Sequence, residues 1–535
     1  MNNSDLIVQY LKEAGVTHGF GIPSGNVLPF IEAMRLGGME FVLTAHEGSA
    51  SFAADVMGRM TGKPGFCIAT LGPGATNLST GVGSAYLDRS PMIAITCNLN
   101  TPQLGRRIQM RIDHHALFAP ITKTTLAAEH DNVAEIMKEA LTVALTEPMG
   151  PVHIDLPEDV SLAPAKGTVR GPFETIHILQ RASEIDLQNA VSLIENAKKP
   201  IVVLGSSAMR MKEPALLKQF VEHHNIPFAS STMAKGMIDE DNSLSIGCIE
   251  RGKRQIQRNF IQSADLVIGL GFDTIEVEYE AWVGSTPVLS IDIEDPDVDK
   301  SVVVAGTMTG DITDSLERLL QSPPSHDNAW TQSDLDAHTS NFNTALRPPV
   351  ANFSPHQAID VVRSVVPKNG IITYDVGAHT HQIASQWKAH TARTCHVTNG
   401  WSSMGIGLPG AIAAKIARPD LPVVCLIGDG CFQMTAGELA TARRQGLTIP
   451  VVVLDDRWLS LIQIKQKKRQ YAQYGSQVEM DLYDEPPEHY FGVPAVGIRD
   501  SEGLKKELGK ALNANGPTVI EAVVDAAHYM DTVFD

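Results

Sequence analysis

The sequence lacks the marks of several common classes of protein. Its six cysteines are scattered through 535 residues without a Cys-x-x-Cys pair, so neither a disulfide framework nor a zinc site is supported. No segment is long and apolar enough to predict a membrane span. The first residues, Met1 to Lys12, interrupt their apolar positions with polar and charged ones and lack the apolar core of a signal peptide. We therefore expect reduced cysteines, no membrane partner and a cytoplasmic location.

Positive charge is also in short supply. Lysine and arginine number 43 against 61 aspartates and glutamates, which gives a formal net charge of −18. Such a charge argues against nucleic acid or an anionic membrane as a partner. One basic stretch, Lys465 to Arg469, is interpreted as a solvated helix face, with contact to an anionic substrate as the alternative.

The chain is long enough for several domains. Its length exceeds what one hydrophobic core usually supports and predicts three domains of ordinary size. Two polar, proline-rich stretches, residues 163–172 and 321–327, are typical of linkers between them. We therefore place the domains at residues 1–165, 180–322 and 350–535.

The chemistry is clearest in the last third of the sequence. Residues 422–428 and 449–454 are β-branched runs that predict buried parallel strands, and residues 435–445 between them have the apolar spacing of a helix. Both strands of such a unit end at one edge of the sheet, so Asp429 and Asp456 are expected to meet there. Carboxylate oxygens suit Mg²⁺, and the glycines on both sides of Asp429 let backbone approach a phosphate. Surface carboxylates at strand ends are the alternative.

These segments and two others resemble one enzyme family. A Gly-Asp-Gly triplet followed about two dozen residues later by an acidic pair resembles the thiamine-diphosphate motif. Residues 41–47, which end at Glu47, and residues 65–77 resemble the pyrimidine-binding domain of the same enzymes. Residues 399–410 resemble the loop and helix that grip the aminopyrimidine from the other side. The chain thus resembles the thiamine-diphosphate-dependent decarboxylases and carboligases, and among them the catabolic, FAD-free acetolactate synthases.

The resemblance implies a fold and an assembly. The fold would be α/β, with three doubly wound or Rossmann-like parallel-sheet domains. These would be a pyrimidine-binding domain at 1–165, a middle Rossmann-like domain at 180–322 and a diphosphate- and Mg²⁺-binding domain at 350–535. In such enzymes the active site lies between the pyrimidine domain of one subunit and the diphosphate domain of another, which implies a homodimer or homotetramer.

The resemblance also implies roles for individual residues. Glu47 would hydrogen-bond the aminopyrimidine and share a proton with it; a simple acid in the first turn of a helix is the alternative. Asp429, Asp456 and the carbonyl of Trp458 would hold Mg²⁺. The acidic pair departs from the pattern, because many relatives have asparagine at the position of Asp455.

Further residues would contact the cofactor. Met404 would be the apolar wedge that bends it, and Ser402 would offer its carbonyl to the 4′-amino group. The full set of implied cofactor-binding residues is Pro23, Gly25, Gly72, Pro73, Asn77, Gly377, Ser402, Met404, Gly428, Asp429, Gly430, Cys431, Asp456, Trp458 and Leu459.

The substrate pocket is implied by comparison within the family. Leu461 and Ile462 stand where acetaldehyde-forming decarboxylases carry a glutamate, so no acid there would protonate the intermediate, which favours carboligation. Acetolactate synthases place a glutamine before their substrate loop. Met110 stands at that position, or, with the register shifted by one residue, Gln109 is that glutamine.

Two interpretations of the histidine pair His114 and His115 are open. The pair would either transfer protons near the reaction centre or form a loop pair without chemistry, and we favour the second.

The middle domain lacks the arginine that flavin-binding relatives carry, and Phe272-Asp273-Thr274 stands in its place. FAD is therefore not expected. No turn there has Gly-x-Gly-x-x-Gly with a ribose acid, so nicotinamide binding is weakly supported.

Together these features predict an enzyme that uses thiamine diphosphate and Mg²⁺. It would decarboxylate a 2-oxo acid, with pyruvate as the leading donor, and transfer the acyl unit to a carbonyl acceptor. One alternative is a non-ligating decarboxylase or a C–C lyase for another 2-oxo or 2-hydroxyacyl substrate. Another, from a different class, is a non-catalytic regulator that binds the cofactor.

Overall fold

Three β-sheets, one after another along the chain, organise the structure. The computed structural model describes residues 1–169, 171–173, 180–324, 328–478 and 486–533. Helices connect most of the successive strands, as crossover connections between parallel neighbours usually do. The predicted fold class, α/β with three parallel-sheet domains, is confirmed. Both predicted linkers, 163–172 and 321–327, extend partly outside the described residues.

The first sheet lies between His18 and Pro157. Its strands are β1 (His18–Gly21), β2 (Glu40–Leu43), β3 (Gly65–Thr70), β4 (Met92–Asn98), β5 (Thr124–Ala127) and β6 (Pro151–Pro157). Its helices are α1 (Asn3–Glu13), α2 (Leu28–Gly37), α3 (Glu47–Thr61), α4 (Pro73–Leu87), α5 (His114–Phe118), α6 (Val133–Leu145) and α7 (Glu158–Leu162). The strands pair in parallel in the order β2-β1-β3-β4-β6-β5. The central strands β4 and β6 are buried along their whole length, as in other parallel sheets covered on both faces.

The middle sheet has six parallel strands in a doubly wound order. They are β7 (Pro200–Leu204), β8 (Phe228–Ser231), β9 (Ser245–Ile249), β10 (Leu266–Leu270), β11 (Val288–Asp292) and β12 (Val304–Thr309). The helices are α8 (Glu184–Asn196), α9 (Ala215–His223), α10 (Arg254–Ile261), α11 (Tyr279–Val283) and α12 (Ile312–Leu319). The strand order is β12-β11-β10-β7-β8-β9, so the chain reverses direction across the sheet between β7 and β10.

The third sheet has seven strands. They are β13 (Ile371–Tyr374), β14 (Cys395–His396), β15 (Val423–Gly428), β16 (Pro450–Asp455), β17 (His489–Tyr490), β18 (Val493–Ile498) and β19 (Thr518–Val523). The helices are α13 (Gln332–Leu346), α14 (Pro355–Val365), α15 (Ala378–Gln386), α16 (Gly407–Ala417), α17 (Asp429–Thr435), α18 (Glu438–Arg444), α19 (Ser460–Lys468), α20 (Ser501–Ala511) and α21 (Tyr529–Thr532). The order is β14-β13-β15-β16-β19-β18-β17, and only β17 runs antiparallel to its neighbour.

The connection between β15 and β16 differs from the prediction. The sequence predicts a helix over residues 435–445, and the structure has α18 at Glu438–Arg444 within that range, preceded by a further helix, α17, that ends at Thr435. The break precedes Gly437, where a β-carbon would lie only 3.1 Å from the methyl group of Ala45. Apolar spacing reports local periodicity and not such a contact with a distant segment. The predicted helix is therefore present but begins later than expected, and the helix before it was not predicted.

This break positions a carboxylate that joins the first and third domains. Glu438 Oε1 accepts hydrogen bonds from the backbone N–H groups of Ala45 at 2.9 Å and His46 at 3.2 Å. Helix α16 also packs against α3. The start of α3, where Glu47 lies, is therefore held by the third domain of the same chain.

Two composition-based expectations can be compared with the structure. Across the described ranges, no helix has both the length and the apolar character needed to cross a bilayer. All six cysteines are free, and five of them are buried. Burial raises the pKa of Cys248 and Cys395 to about 12, which keeps these thiols protonated.

A buried carboxyl, Glu276, lies beyond the carboxyl ends of the middle strands. It accepts hydrogen bonds from the N–H of Ser206 at 2.7 Å and from the hydroxyl of Ser231. Burial nevertheless raises its pKa to about 8, because desolvation outweighs both bonds, and the charges of Asp273 and Asp292 act in the same direction. Glu276 is therefore largely protonated in the folded protein at neutral pH.

We predict that Glu276 makes the stability of the fold depend on pH. A carboxyl whose pKa is raised by folding contributes stability that is fully present below its unfolded pKa of about 4.3 and is lost as the pH rises to about 8. Glu276→Gln should remove this loss. The melting temperature of this variant minus that of the parent should therefore increase as the pH rises through this window. Glu195→Gln, at an exposed carboxyl, is the control. Parallel pH profiles of parent and Glu276→Gln would contradict the prediction.

Candidate active site

A cavity of about 210 Å³ lies at the carboxyl ends of β13, β15 and β16. Loops after parallel strands meet at this edge, where open α/β sheets bind ligands. Twelve predicted residues line the cavity: Gly377, Ser402, Met404, Gly428, Asp429, Gly430, Cys431, Asp456, Trp458, Leu459, Leu461 and Ile462. Six lining residues were not predicted: Val376, Ala378, His379, Leu454, Ser460 and Tyr529. Loops distant in sequence thus meet at one place.

Three carboxylates converge on one side of this cavity. Asp429 directly follows β15, and Asp455 and Asp456 stand at the end of β16. Burial raises the pKa of Asp429 well above its usual range, and the charges of Asp456 and Asp455 raise it further. Burial raises the pKa of Asp456 to about 6, although hydrogen bonds from Ser460 and the N–H of Trp458 lower it. Without a cation the cluster is electrostatically unfavourable.

The oxygens of this cluster suit a divalent cation. Asp429 Oδ1 accepts the N–H of Gly430 at 2.7 Å, whereas Asp429 Oδ2 is buried and has no hydrogen-bond partner. Asp456 accepts the N–H of Trp458 at 3.0 Å and the hydroxyl of Ser460 at 2.6 Å, which fix the orientation of its carboxylate. Carboxylate oxygens are the ligands that Mg²⁺ prefers. The donor set therefore fits such an ion at Asp429 and Asp456.

Three glycines allow close packing around the cavity. A β-carbon at Gly377 would lie 2.7 Å from the ring of His379, and one at Gly428 would lie 2.9 Å from it. A β-carbon at Gly430 would lie 2.7 Å from Cδ2 of Leu459. Side chains at these positions would collide with their neighbours, and their absence leaves backbone next to the cavity, as close approach to a phosphate requires.

His379 is a site residue that the sequence did not reveal. Its ring lies beside Gly377 and Gly428 and lines the cavity. Burial lowers the pKa of His379 to about 3, so the imidazole is neutral, and its Nε2 is buried without a partner. A neutral imidazole can donate one hydrogen bond and therefore fits a phosphate oxygen. The only local signal was a histidine two residues after Gly377.

The loop that carries Ser402 and Met404 is held by a buried carboxylate. Asp375, directly after β13, accepts the N–H groups of Gly405 at 2.9 Å and Gly407 at 3.0 Å. Ser402 has a φ of 50°, in the left-handed region, and such strain persists where the surrounding structure is fixed. The anchored loop places Ser402 and Met404 at the cavity wall.

The other predicted group lies at the carboxyl edge of the first sheet. Glu47 is only 8% exposed and accepts a hydrogen bond from Asn77 Nδ2 at 3.0 Å. Gly72, with a φ of 62°, and Pro73 form the turn from β3 into α4. A β-carbon at Gly74 would lie 3.4 Å from Glu47 Oε1. The structure therefore brings Glu47, Asn77 and this turn together.

The remaining pyrimidine-side residues adjoin this group but not the cavity. Pro23 and Gly25 follow β1, and Asn26 in the same turn accepts a hydrogen bond from the Thr70 hydroxyl at the end of β3 at 2.8 Å. Among the described residues that line the 210 Å³ cavity, Glu47 and its neighbours are absent. Within one chain the predicted site is thus in two parts.

The loop before α5 lies over the first part. Gln109 and Met110 are exposed, and Met110 has a φ of 63°. The carbonyl oxygen of Met110 lies 2.7 Å from the place where Gly72 would carry a β-carbon. A side chain at Gly72 is therefore excluded by this loop as well as by its backbone angle.

The histidine pair enters a polar network beneath this edge. His114 is buried, with Nδ1 2.9 Å from the hydroxyl of Thr96 and 3.3 Å from Asp155. His115 Nδ1 lies 2.8 Å from the hydroxyl of Thr125. Neither histidine lines the 210 Å³ cavity. The network gives Nδ1 of both rings a structural partner, whereas Nε2 of His114 is buried without one among the described residues.

Comparisons with known proteins match three successive parts of this chain. Residues 1–117 match the family "Thiamine pyrophosphate enzyme, N-terminal TPP binding domain", and residues 187–319 match its "central domain". Residues 375–522 match the "C-terminal TPP binding domain". The chain therefore belongs to the thiamine pyrophosphate enzymes.

Within that family the chain is similar to acetolactate synthases. It is 31% identical to the acetolactate synthase of Arthrospira platensis, over 97% of this chain and 93% of that protein. It is 29% identical to the acetolactate synthase isozyme 2 large subunit of Escherichia coli, over 98% and 96%. The probable large subunit of Methanococcus aeolicus is also 29% identical, over 100% and 94%. The predicted family and the prediction of an acetolactate synthase-like enzyme are confirmed.

We predict that Asp429→Asn stabilises the cofactor-free protein. The substitution keeps the shape of the side chain and removes one of three converging charges, so the melting temperature at pH 8 should rise by about 2 °C or more. The gain should shrink as the pH falls toward the ordinary aspartate pKa of about 3.9, because below it this carboxyl is protonated in both the folded and the unfolded chain. Glu195→Gln again serves as a control for charge alone. A lower melting temperature at pH 8 would show that the cluster is not strained.

Proposed function

We propose that the protein is a Mg²⁺-dependent carboligase that decarboxylates a 2-oxo acid, with pyruvate as the leading donor, and transfers the two-carbon unit to a carbonyl acceptor. The observation that carries this proposal is one cavity that combines Asp429 and Asp456 with an aliphatic wall of Leu459, Leu461 and Ile462. The carboxylates suit a metal diphosphate, and the aliphatic wall favours loss of CO₂ by desolvating a carboxylate. The names of the similar proteins support ligation as the outcome.

The diphosphate end would be held by residues of the third domain. Asp429, Asp456 and the carbonyl of Trp458 would hold Mg²⁺, and the backbone of residues 428–430 would face the phosphates. His379 would donate a hydrogen bond from Nε2 to a phosphate oxygen. When bound, the cofactor supplies the electron sink that decarboxylation of a 2-oxo acid requires.

The aminopyrimidine end would be held from two sides. Met404 would support the cofactor, and the carbonyl of Ser402 would accept a hydrogen bond from its 4′-amino group. Glu47 would hold a proton at the ring nitrogen N1′, and the hydrogen bond from Asn77 fixes the orientation of the Glu47 carboxyl. The other residues that would shape the cofactor site are Pro23, Gly25, Gly72, Pro73, Gly377, Cys431 and Leu459.

The aliphatic side chains beside the site favour ligation over simple decarboxylation. Leu461 and Ile462 carry no acidic group, so neither delivers a proton that would release an aldehyde. A carbonyl acceptor can then capture the two-carbon unit. His114 and His115 are given no part in this step, because their partners lie in the network around Asp155.

The test is a product balance over a panel of 2-oxo acids with thiamine diphosphate and Mg²⁺ present. Pyruvate consumption, CO₂ and acetolactate are measured separately, and ligation of two pyruvates predicts one CO₂ and one acetolactate. If free aldehyde forms in an amount equal to CO₂, the reaction is simple decarboxylation and the proposal of ligation is wrong. Absence of CO₂ with every donor would remove the proposal.

We predict that Glu47→Gln separates binding from turnover. Gln keeps the size and the hydrogen-bonding capacity of the side chain but does not exchange a proton, so cofactor affinity should stay within about threefold while turnover falls by about a hundredfold or more. Calorimetric titration of thiamine diphosphate with Mg²⁺ and steady-state rates measure the two effects. Glu195→Gln is the matched control. Turnover at the parent rate would reduce Glu47 to an acid at the start of a helix.

The two separate parts of the site support an active site shared between subunits. Glu47 lies at the carboxyl edge of the first sheet, and the 210 Å³ cavity lies at that of the third. A two-fold dimer can place the first part of one chain against the second part of the other and bury both edges. We therefore propose a homodimer, or a tetramer made from two such dimers.

Mixing two inactive variants tests this arrangement. We predict that Glu47→Gln and Asp429→Ala chains, exchanged into heterodimers, recover activity that neither has alone. Each heterodimer then has one site with both defects and one with neither, so a fully mixed sample of heterodimers should approach half the parent activity. Verified heterodimers without recovery would mean that each chain carries a complete site.

We also propose that no FAD is needed. The cleft beyond the carboxyl ends of the middle strands has a volume of about 480 Å³. Its charged lining residues, among those described, are one cation, Arg89, and five acids: Asp273, Asp292, Glu294, Asp295 and Asp297. Their net negative charge opposes the diphosphate of a dinucleotide. Purified protein should be colourless, and a flavin absorbance spectrum at near-stoichiometric content would contradict this.

A further inference from the structure

A second cavity, of about 450 Å³, lies where the three parts of the chain meet. Its walls come from the end of α3, the turn after α4, the turn after β7 and the segment around β14. It shares no lining residue with the 210 Å³ cavity. Nothing in the proposed reaction uses it.

Positive charge is concentrated on the walls of this second cavity. Six lining side chains are cationic, and only Asp88 is acidic. The six cations are Arg59, Lys63, Arg89, Arg210, Lys212 and Arg393. In a chain whose net charge is −18, such a concentration creates a local field that attracts anions.

Two of these cations lack an acidic partner. Four form ion pairs: Arg59 with Asp55 and Asp88, Arg89 with Asp273 and Glu294, Arg210 with Glu147, and Lys212 with Asp311. Within the described residues, Lys63 and Arg393 have no carboxylate at ion-pair distance. Asp88 is already used by the backbone N–H groups of Asn399 at 3.2 Å and Gly400 at 2.8 Å. Among the described residues that line the cavity, the positive charge that no carboxylate pairs is therefore that of Lys63 and Arg393.

Arg393 is the best placed of the six to hold an anion. Its Nη1 donates to the carbonyl of Met60 at 3.2 Å and its Nη2 to the carbonyl of Met209 at 3.1 Å. These two bonds join Arg393, in the third domain, to the first and middle domains. Further N–H donors of the guanidinium remain free for a ligand. Burial and the nearby charge of Arg210 lower the pKa of Arg393, as expected for a cation without a counter-ion.

The cavity also has apolar surface. Four methionines line it: Met149, Met209, Met211 and Met233. Methionine side chains are flexible and polarisable and adapt to the shape of a ligand. The volume falls within the range of about 300–1,000 Å³ that is typical of small-molecule sites. The walls therefore suit a molecule with one charged end and an apolar body.

We propose that this cavity is a binding site for a small organic anion, whose carboxylate or phosphate is held by Arg393 and Lys63 and whose apolar body lies against the methionines. A ligand there contacts all three domains and binds only the folded chain, so it stabilises the protein by mass action. This site is independent of the proposed reaction.

The test uses the full chain saturated with thiamine diphosphate and Mg²⁺, so that the diphosphate position is filled. Calorimetric titration compares hexyl phosphate, hexanoate, inorganic phosphate and hexanol. At least one of the two hexyl anions should bind, about tenfold or more tightly than inorganic phosphate, and hexanol should not bind. Whichever of hexyl phosphate and hexanoate binds more tightly shows whether the site prefers a phosphate or a carboxylate. Failure of both anions to bind, or equal binding of hexanol, would overturn the proposal.

Variants locate the site. Arg393→Gln should weaken binding about tenfold or more, Arg393→Lys should weaken it less because it keeps the charge, and Lys505→Gln, at an exposed lysine, should leave it unchanged. Because Arg393 also joins domains, Lys63→Gln provides a second variant whose folding is not at risk. Parent-like binding by both Lys63→Gln and Arg393→Gln would overturn the proposal. Binding should also shift the ¹³C-methyl signals of the lining methionines, and shifts confined to other methionines would place the ligand elsewhere.

Discussion

Negative charge confined in a small buried space is the constraint on which the site depends. The ends of β15 and β16 bring Asp429, Asp455 and Asp456 together, and burial disfavours the ionised forms of Asp429 and Asp456. Folding tolerates this because the two strands and the packing of α17 fix the positions of the carboxylates before any cation arrives. Binding of a metal diphosphate would relieve the repulsion. Local strain of this kind is typical of a functional site that the rest of a fold supports.

Buried carboxylates also do structural work elsewhere in the molecule. Asp375 holds the loop before α16, Asp88 holds the backbone at 399 and 400, and Glu438 holds the residues before Glu47. In each case the carboxylate accepts backbone N–H groups from a segment distant in sequence. A charged acceptor makes stronger hydrogen bonds than a neutral one, so a few side chains can fix irregular loops in a defined position. The two parts of the candidate site are both held in this way.

The two cavities differ in the sign of the charge on their walls. The cavity at the strand ends of the third sheet is acidic and suits a cation, whereas the cavity between the domains is basic and suits an anion. The net charge of −18 does not reveal the charge of either cavity, because it sums over surfaces that differ locally in sign. The methionines of the second cavity and the leucines of the first add apolar surface to both, which strengthens electrostatic interactions by excluding water.

The sequence by itself determined the parts of this protein that depend on local pattern. Short β-branched runs predicted parallel strands, and because parallel strands end at a common edge, Asp429 and Asp456 were expected together, as they are in the structure. Glu47 at the start of a helix was also readable locally. Only the tertiary structure decided the helix break before Gly437, the lining by His379 and Tyr529 and the basic cavity between domains. Those features arise from contacts between segments far apart in sequence, and neither periodicity nor composition carries information about such contacts.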